Sequence, residues 1–123
     1  SSGLIMEQSV SAFNVRYRHF ISFTFSTNQI GNEGAIAVAK ALEVNASLTN
    51  LSLRGNSIGS EGAVAVAKSL EVNASIKTLD LGYNGIGNEG AVALGKAINV
   101  NASLTSIDLS SNRLDKESVV ALG

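Results

Sequence analysis

"NQIGNEGAIAVAKALEVNASLTNLSLRG", residues 28–55, runs directly into "NSIGSEGAVAVAKSLEVNASIKTLDLGY", residues 56–83, and the two agree at 18 of 28 positions. Identity this high at one fixed offset is an internal repeat, not a by-product of composition. A third copy, "NGIGNEGAVALGKAINVNASLTSIDLSS", fills residues 84–111, and "NRLDKESVVALG", residues 112–123, opens a fourth. The chain therefore divides into four parts. Residues 1–3 read as a tag remnant ahead of Met6, and residues 4–27 as a degenerate N-terminal capping repeat. Residues 28–111 are three repeats, and residues 112–123 an incomplete fourth.

Each unit carries one strand pattern and one helix pattern. In "LTNLSL", residues 48–53, apolar Leu51 and Leu53 alternate with Asn50, Ser52 and Arg54, the period of two of a half-buried strand. "NEGAIAVAKALEVN", residues 32–45, predicts a helix of about three turns. Asn32 is its expected N-cap, and Glu33 lies in the first turn, where the helix dipole favours negative charge. Val38 and Leu42 should face inward with Ala35 and Ala39, leaving Lys40 and Glu43 in solvent. Like-directed strands joined by identical helical connections pair side by side and stack into a curved solenoid. The alanines let neighbouring helices approach on its convex side.

The frame "LTNLSLRGNSIG", residues 48–59, resembles the leucine-rich-repeat consensus L-x-x-L-x-L-x-x-N-x-L. It returns as "IKTLDLGYNGIG" (residues 76–87), as "LTSIDLSSNRLD" (residues 104–115) and, with aromatics for leucines, as "FISFTFSTNQIG" (residues 20–31). The 28-residue period with a full helix resembles the ribonuclease-inhibitor-like subfamily, which includes recognition domains of innate-immune receptors. The resemblance implies an α/β leucine-rich-repeat solenoid, with parallel strands on the concave face and helices on the convex face. It also implies a non-catalytic module that binds a protein partner. One branch of the family activates a small GTPase, but these uniform units carry no inserted loop to present polar groups to a nucleotide. A structural solenoid assembling through its ends is a further alternative.

Composition narrows the chemistry. Nine basic and ten acidic residues give a net charge of -1, which offers nothing to nucleic acid or an anionic membrane. There is no cysteine, and the lone histidine, His19, cannot build a zinc site or a nucleophile–base set by itself. No cofactor or metal is expected. The apolar run at residues 35–39 is cut by Lys40, far short of a membrane span, and no signal-peptide pattern opens the chain; a cytoplasmic location is favoured.

The repeated polar residues belong first to architecture. Asn28, Asn56, Asn84 and Asn112 form a ladder of side-chain amides suited to satisfying backbone groups in tight turns. Gly31, Gly59 and Gly87 are turn glycines, and Gly34, Gly62 and Gly90 admit close packing at the helix start. "NAS" at Asn45, Asn73 and Asn101 is formally a glycosylation sequon, but its periodicity makes it a device that closes each helix.

Residues outside this framework point to a binding face. Outward strand positions form three columns: Ser22, Asn50, Thr78 and Ser106; Thr24, Ser52, Asp80 and Asp108; Ser26, Arg54, Gly82 and Ser110. Tyr83 stands beside them. Asn50, Ser52, Arg54, Thr78, Asp80, Tyr83, Ser106 and Asp108 are the candidate partner-binding residues. Tyrosine and arginine are favoured interface anchors. Strands about 4.8 Å apart place Asp80 beside Asp108, a mutually repelling acidic pair open to a cationic partner. "RYRH", residues 16–19, reads as a solvated loop, and Ile36, Val64 and Val92 as inter-helix packing near the outer face. The array stops with a shortened helix beside the strand at residues 104–109. Its unpaired edge predicts either a homo-oligomer formed through the C-terminal end or a fragment of a longer array.

Overall fold

The computed structural model describes residues 22–24 and 30–112. Strands and helices alternate along it: β1 (Ser22–Thr24), α1 (Gly31–Val44), β2 (Asn50–Ser52), α2 (Gly59–Val72), β3 (Thr78–Asp80), α3 (Gly87–Val100) and β4 (Ser106–Asp108). The strands form one parallel sheet in the order β1-β2-β3-β4. Its register runs Ser22↔Asn50↔Thr78↔Ser106 and Thr24↔Ser52↔Asp80↔Asp108, so the first two outward columns read from the sequence are columns of the sheet.

The strands are shorter than the apolar alternation suggested, three residues each, because the chain bends out of the sheet at the second framework leucine. Pairing between units nevertheless continues past the bend: Leu53 N–H donates to Asp80 O at 2.8 Å and Gly55 N–H to Gly82 O at 3.0 Å. Leu51, Leu79 and the leucines that follow them, Leu53 and Leu81, point inward and are buried. They meet Val38 and Leu42 of α1, Val66 and Leu70 of α2 and Leu94 of α3. Ala35, Ala63 and Ala91, each 0% exposed, lie where adjacent helices approach. Gly62 has no room for a side chain: an added Cβ would stand 2.8 Å from Ala35 Cβ and 2.5 Å from Ile58 Cγ2.

One expectation is corrected at the helix start. Asn32 does not cap α1; the helix begins at Gly31, follows Ile30, and has no side-chain cap. The neighbouring unit does that work, because Gly31 N–H donates to Asn56 O at 2.9 Å, and Gly59 N–H to Asn84 O at 2.9 Å. Asn32 instead reaches forward, its Oδ1 accepting from Gly62 N–H at 2.6 Å. A stacked unit satisfies its helix start from the next unit, so the local capping rule does not apply.

The expected N-terminal cap, apart from the β1 backbone, lies outside the described residues, as do Asn28, Ser26, "RYRH" and the shortened C-terminal helix. Within the described sheet β4 is an edge. Leu104, Ile107 and Leu109 are only partly buried there, unlike Ile76, Leu79 and Leu81 one unit earlier.

Candidate functional site

Two ladders of asparagines set the geometry of the strand face. In the first, Asn84 Nδ2 donates to Leu53 O at 2.8 Å, Leu81 O at 3.0 Å and Gly82 O at 3.1 Å. Its Oδ1 accepts from Asn56 N–H at 2.8 Å and Ile58 N–H at 3.3 Å. Asn112 repeats the pattern one unit on, its Oδ1 accepting from Asn84 N–H at 2.8 Å and its Nδ2 donating to Leu81 O at 2.8 Å. Asn56, Asn84 and Asn112 are 0%, 2% and 1% exposed, so the ladder is internal framework.

The second ladder is richer than the sequence suggested. Asn73 closes its own helix locally, with Oδ1 accepting from Ser75 and Ile76 N–H, but its Nδ2 also donates back to Leu42 O at 2.8 Å and Asn45 O at 3.0 Å. Asn101 does the same toward Leu70 O and Asn73 O. Ser75 and Ser103 hydroxyls donate to Leu48 O and Ile76 O of the preceding units. The "NAS" phrase therefore stitches helix ends together.

With both edges pinned, the strand face presents its outward side chains in fixed rows. Asn50, Thr78 and Ser106 are exposed in one column, where the Thr78 hydroxyl hydrogen-bonds Asn50 Oδ1. Ser52 is half-buried and its Oγ accepts from Arg54 N–H at 3.5 Å. The remaining four candidates meet. Arg54 Nη1 lies 3.3 Å from Asp80 Oδ1 and 3.3 Å from Asp108 Oδ2, and its Cζ lies 4.5 Å from the centre of the Tyr83 ring.

This arrangement corrects the expectation of an uncompensated acidic pair. Asp80 and Asp108 are bridged by a cation from the strand end one unit earlier, and the guanidinium reaches them because residue 82 is glycine. A Cβ at Gly82 would stand 2.5 Å from Arg54 Nη1. Backbone amides hold the carboxylates in place: Gly82 N–H donates to Asp80 Oδ1 and Ser110 N–H to Asp108 Oδ1, both at 2.9 Å. The bonds from Ser110, outweighing an opposing effect of burial and helped by the lesser effect of the Arg54 charge, hold the Asp108 carboxyl below the usual aspartate range. The cluster carries one positive and two negative charges beside an aromatic ring. It suits polar recognition of a partner surface.

Tyr83 is held in a left-handed backbone conformation, φ +57°, while its side chain is 56% exposed. The matching position of the preceding unit is Gly55, at φ +72°. Beside Tyr83 an open cleft of about 420 Å³ is lined by Ser57, Gly59, Asn84, Gly85 and Ser111. On the convex side a cleft of about 320 Å³ lies between α2 and α3, with Val64 and Val92 on its walls and Lys68, Glu71, Glu89 and Lys96 around them. Val92 is 41% exposed, so the outer apolar column is not fully consumed by inter-helix packing.

Sequence reasoning missed a further row. Val44, Val72 and Val100, the last residues of the three helices, are 70%, 64% and 63% exposed. The repeat contains their signal, since each stands just before "NAS" and two residues past Leu42, Leu70 or Ile98, on the helix side opposite the inward stripe. Among the described residues no helix is long and apolar enough to cross a membrane, and no cluster of His, Asp or Glu could hold a metal ion.

A family model described as leucine-rich repeat matches residues 18–39, 44–67, 72–95 and 100–123. No curated protein matches the chain in sequence. Among solved structures, one described as actin-binding site 2 of leiomodin-1 superposes with a TM-score of 0.82 at 20% identity, covering 94% of this chain and 68% of that one. The tropomodulin C-terminal domain of Caenorhabditis elegans gives a TM-score of 0.55 at 14% identity, covering 92% of this chain and 88% of its own. At these identities the likeness is one of fold: an α/β leucine-rich-repeat solenoid.

Proposed function

This chain belongs to the leucine-rich-repeat family, and we propose that it is a non-catalytic protein-interaction module whose concave strand face engages its partner around Arg54, Asp80, Tyr83 and Asp108. The observation that carries this reading is Tyr83. A bulky residue in the left-handed region is strained by roughly 1–2 kcal/mol, and the preceding unit relieves that strain with Gly55. The ring fills no core and stands 56% exposed, its ring contact being with Arg54 of the same surface cluster, so core packing does not account for it. As an interface anchor it does make sense: a rigid aromatic held under an arginine, beside two carboxylates already pinned by backbone amides. The uniform 28-residue units, each with a full helix, support placing the chain in the ribonuclease-inhibitor-like subfamily.

The leiomodin-1 domain with this fold is described as actin-binding, which makes monomeric actin the first purified partner to test. Actin and a cell extract are passed over the immobilised chain, over Arg54→Ala/Tyr83→Gly, and over Val92→Asp on the convex side. The reading expects a protein retained by the wild type and by Val92→Asp but lost by the double variant. Equal retention by the double variant would remove the concave-face assignment. Loss with Val92→Asp alone would move the site to the convex cleft.

A further inference from the structure

Asn84–Gly85 is the sole Asn-Gly step in the sequence. Asparagine is the thermally labile member of such a pair, and glycine lacks the Cβ that would hinder its own amide nitrogen. We propose that Asn84 is a spontaneous deamidation site, guarded by the folded ladder, whose conversion is a one-way switch that dismantles the neighbouring binding face. The deprotonated Gly85 amide nitrogen attacks Asn84 Cγ, forming a C–N bond, and Nδ2 leaves as ammonia with a proton from solvent. Water then adds to either carbonyl of the five-membered succinimide. The ring opens to an aspartyl or an isoaspartyl residue at position 84, with no change in oxidation state.

The fold opposes this step. The Asn84 side chain is 2% exposed and held by five hydrogen bonds, three from Nδ2 and two to Oδ1. Its backbone is clamped from both sides, with N–H donating to Asn112 Oδ1 and the carbonyl accepting from Gly59 N–H. The amide cannot swing toward the Gly85 nitrogen without breaking that set, so reaction waits for local opening. Gly85 itself is exposed, and with Asn84 lines the open cleft of about 420 Å³, so water is at hand once the ladder opens.

The product cannot close the ladder again. A carboxylate only accepts hydrogen bonds, and here it would face three carbonyl oxygens, those of Leu53, Leu81 and Gly82, from a buried position. Gly82 and Tyr83 precede it directly and belong to the Arg54 cluster, so the damaged rung releases the residues that shape the concave face. That last consequence rests on the proposed function; the chemistry and the loss of stability do not.

The test ages the full chain at 37 °C and mildly alkaline pH, folded and in denaturant, and follows amide-to-acid conversion at each asparagine by peptide mass spectrometry. In denaturant Asn84 should convert ahead of every other asparagine. In the folded chain it should convert more than about tenfold slower, as a reaction gated by local opening requires. The converted fraction should melt at a lower temperature. Gly85→Ser should suppress the fast reaction at only a modest cost in stability, because position 85 is left-handed at φ +63° yet Ser57 holds the matching position of the preceding unit at φ +55°. Equal rates in folded and unfolded chain, no preference for Asn84 in denaturant, or an unchanged melting temperature after conversion would each overturn the proposal. Converted protein that melts lower yet binds a partner fully would leave the site standing and remove the binding-face reading instead.

Discussion

Truncating Asn84 to alanine deletes five hydrogen bonds, but their count overstates the damage. Each carbonyl on the donor side of the amide keeps a second partner: Leu53 O retains Asn56 Nδ2 at 2.9 Å, Leu81 O retains Asn112 Nδ2 at 2.8 Å, and Gly82 O retains Gly55 N–H at 3.0 Å. On the acceptor side the loss falls on two buried amides. Asn56 N–H, at 2.8 Å, and Ile58 N–H, at 3.3 Å, both belong to buried residues and both bond Asn84 Oδ1. Leaving a buried donor unpaired costs about 1–3 kcal/mol. The shorter bond should bear most of that and the longer one less, for a total of about 2–4 kcal/mol. Against a typical stability of about 5–15 kcal/mol this is a large fraction.

Urea titration by far-UV circular dichroism measures it, with the midpoint falling and the slope unchanged if the whole stack unfolds together. Ser52→Ala, at a half-buried position of the strand face where the hydroxyl accepts a long bond from Arg54 N–H at 3.5 Å, is the control and should move the midpoint little. An Asn84→Ala midpoint equal to the wild type would show that water or backbone adjustment satisfies those amides, and the ladder would lose its structural role.

Four further outcomes are expected. Asn84→Asp should be mildly destabilising near pH 4 and more so toward neutrality: burial raises the introduced carboxyl above its unfolded value of about 3.9, so the folded state binds the extra proton and stability falls as pH rises through that window; thermal melts across pH that run parallel to the wild type would contradict this. Gly62→Ala forces a methyl into contacts of 2.5 and 2.8 Å and should cost about 1–3 kcal/mol by chemical denaturation; no loss would mean the helices can separate freely. Tyr83→Gly should melt at or above the wild-type temperature, since relief of the left-handed strain offsets the lost stacking with Arg54; a clear drop would give the ring a folding role. Arg54→Ala should move the Asp108 titration upward in carboxyl-detected NMR yet leave it below the usual range, because the Ser110 bonds are the larger cause; an unmoved titration would deny the ion pair. The depressed value places that carboxylate's small stabilising effect above its unfolded pKa, to be lost as pH falls through the folded one.

The fold was legible because the repeat states the same periodicities several times. Leu51 and Leu79 are flanked by polar residues and are buried partners in adjacent strands, and Ala35 and Ala63 recur where the helices touch. What failed were local rules applied to non-local contacts. Asn32 fits an N-cap by position, yet the helix start it should cap is satisfied by Asn56 O of the following unit, leaving Asn32 free to bond Gly62. Asn45, Asn73 and Asn101 fit C-caps, and Asn73 does act locally; its reach back to Leu42 O belongs to the stacking of units, which no single-unit pattern contains.

The candidate site on the strand face was half legible for the same reason. Period-two alternation places Asp80 and Asp108 side by side, and the sheet does so. It does not say that a side chain two residues further along the preceding unit would fold across to join them. The clue was nonetheless in the columns: Arg54 stands where the next unit has Gly82, a long side chain beside a gap, and the guanidinium lies over that gap. Tyr83 has the opposite clue, a large side chain where the unit before it has Gly55. In a repeat, the framework supplies its own reference for every position. The informative residues are therefore those whose size departs from the neighbouring unit while the backbone does not, and Gly82 and Tyr83 are adjacent because together they open one flank of Arg54 and close the other.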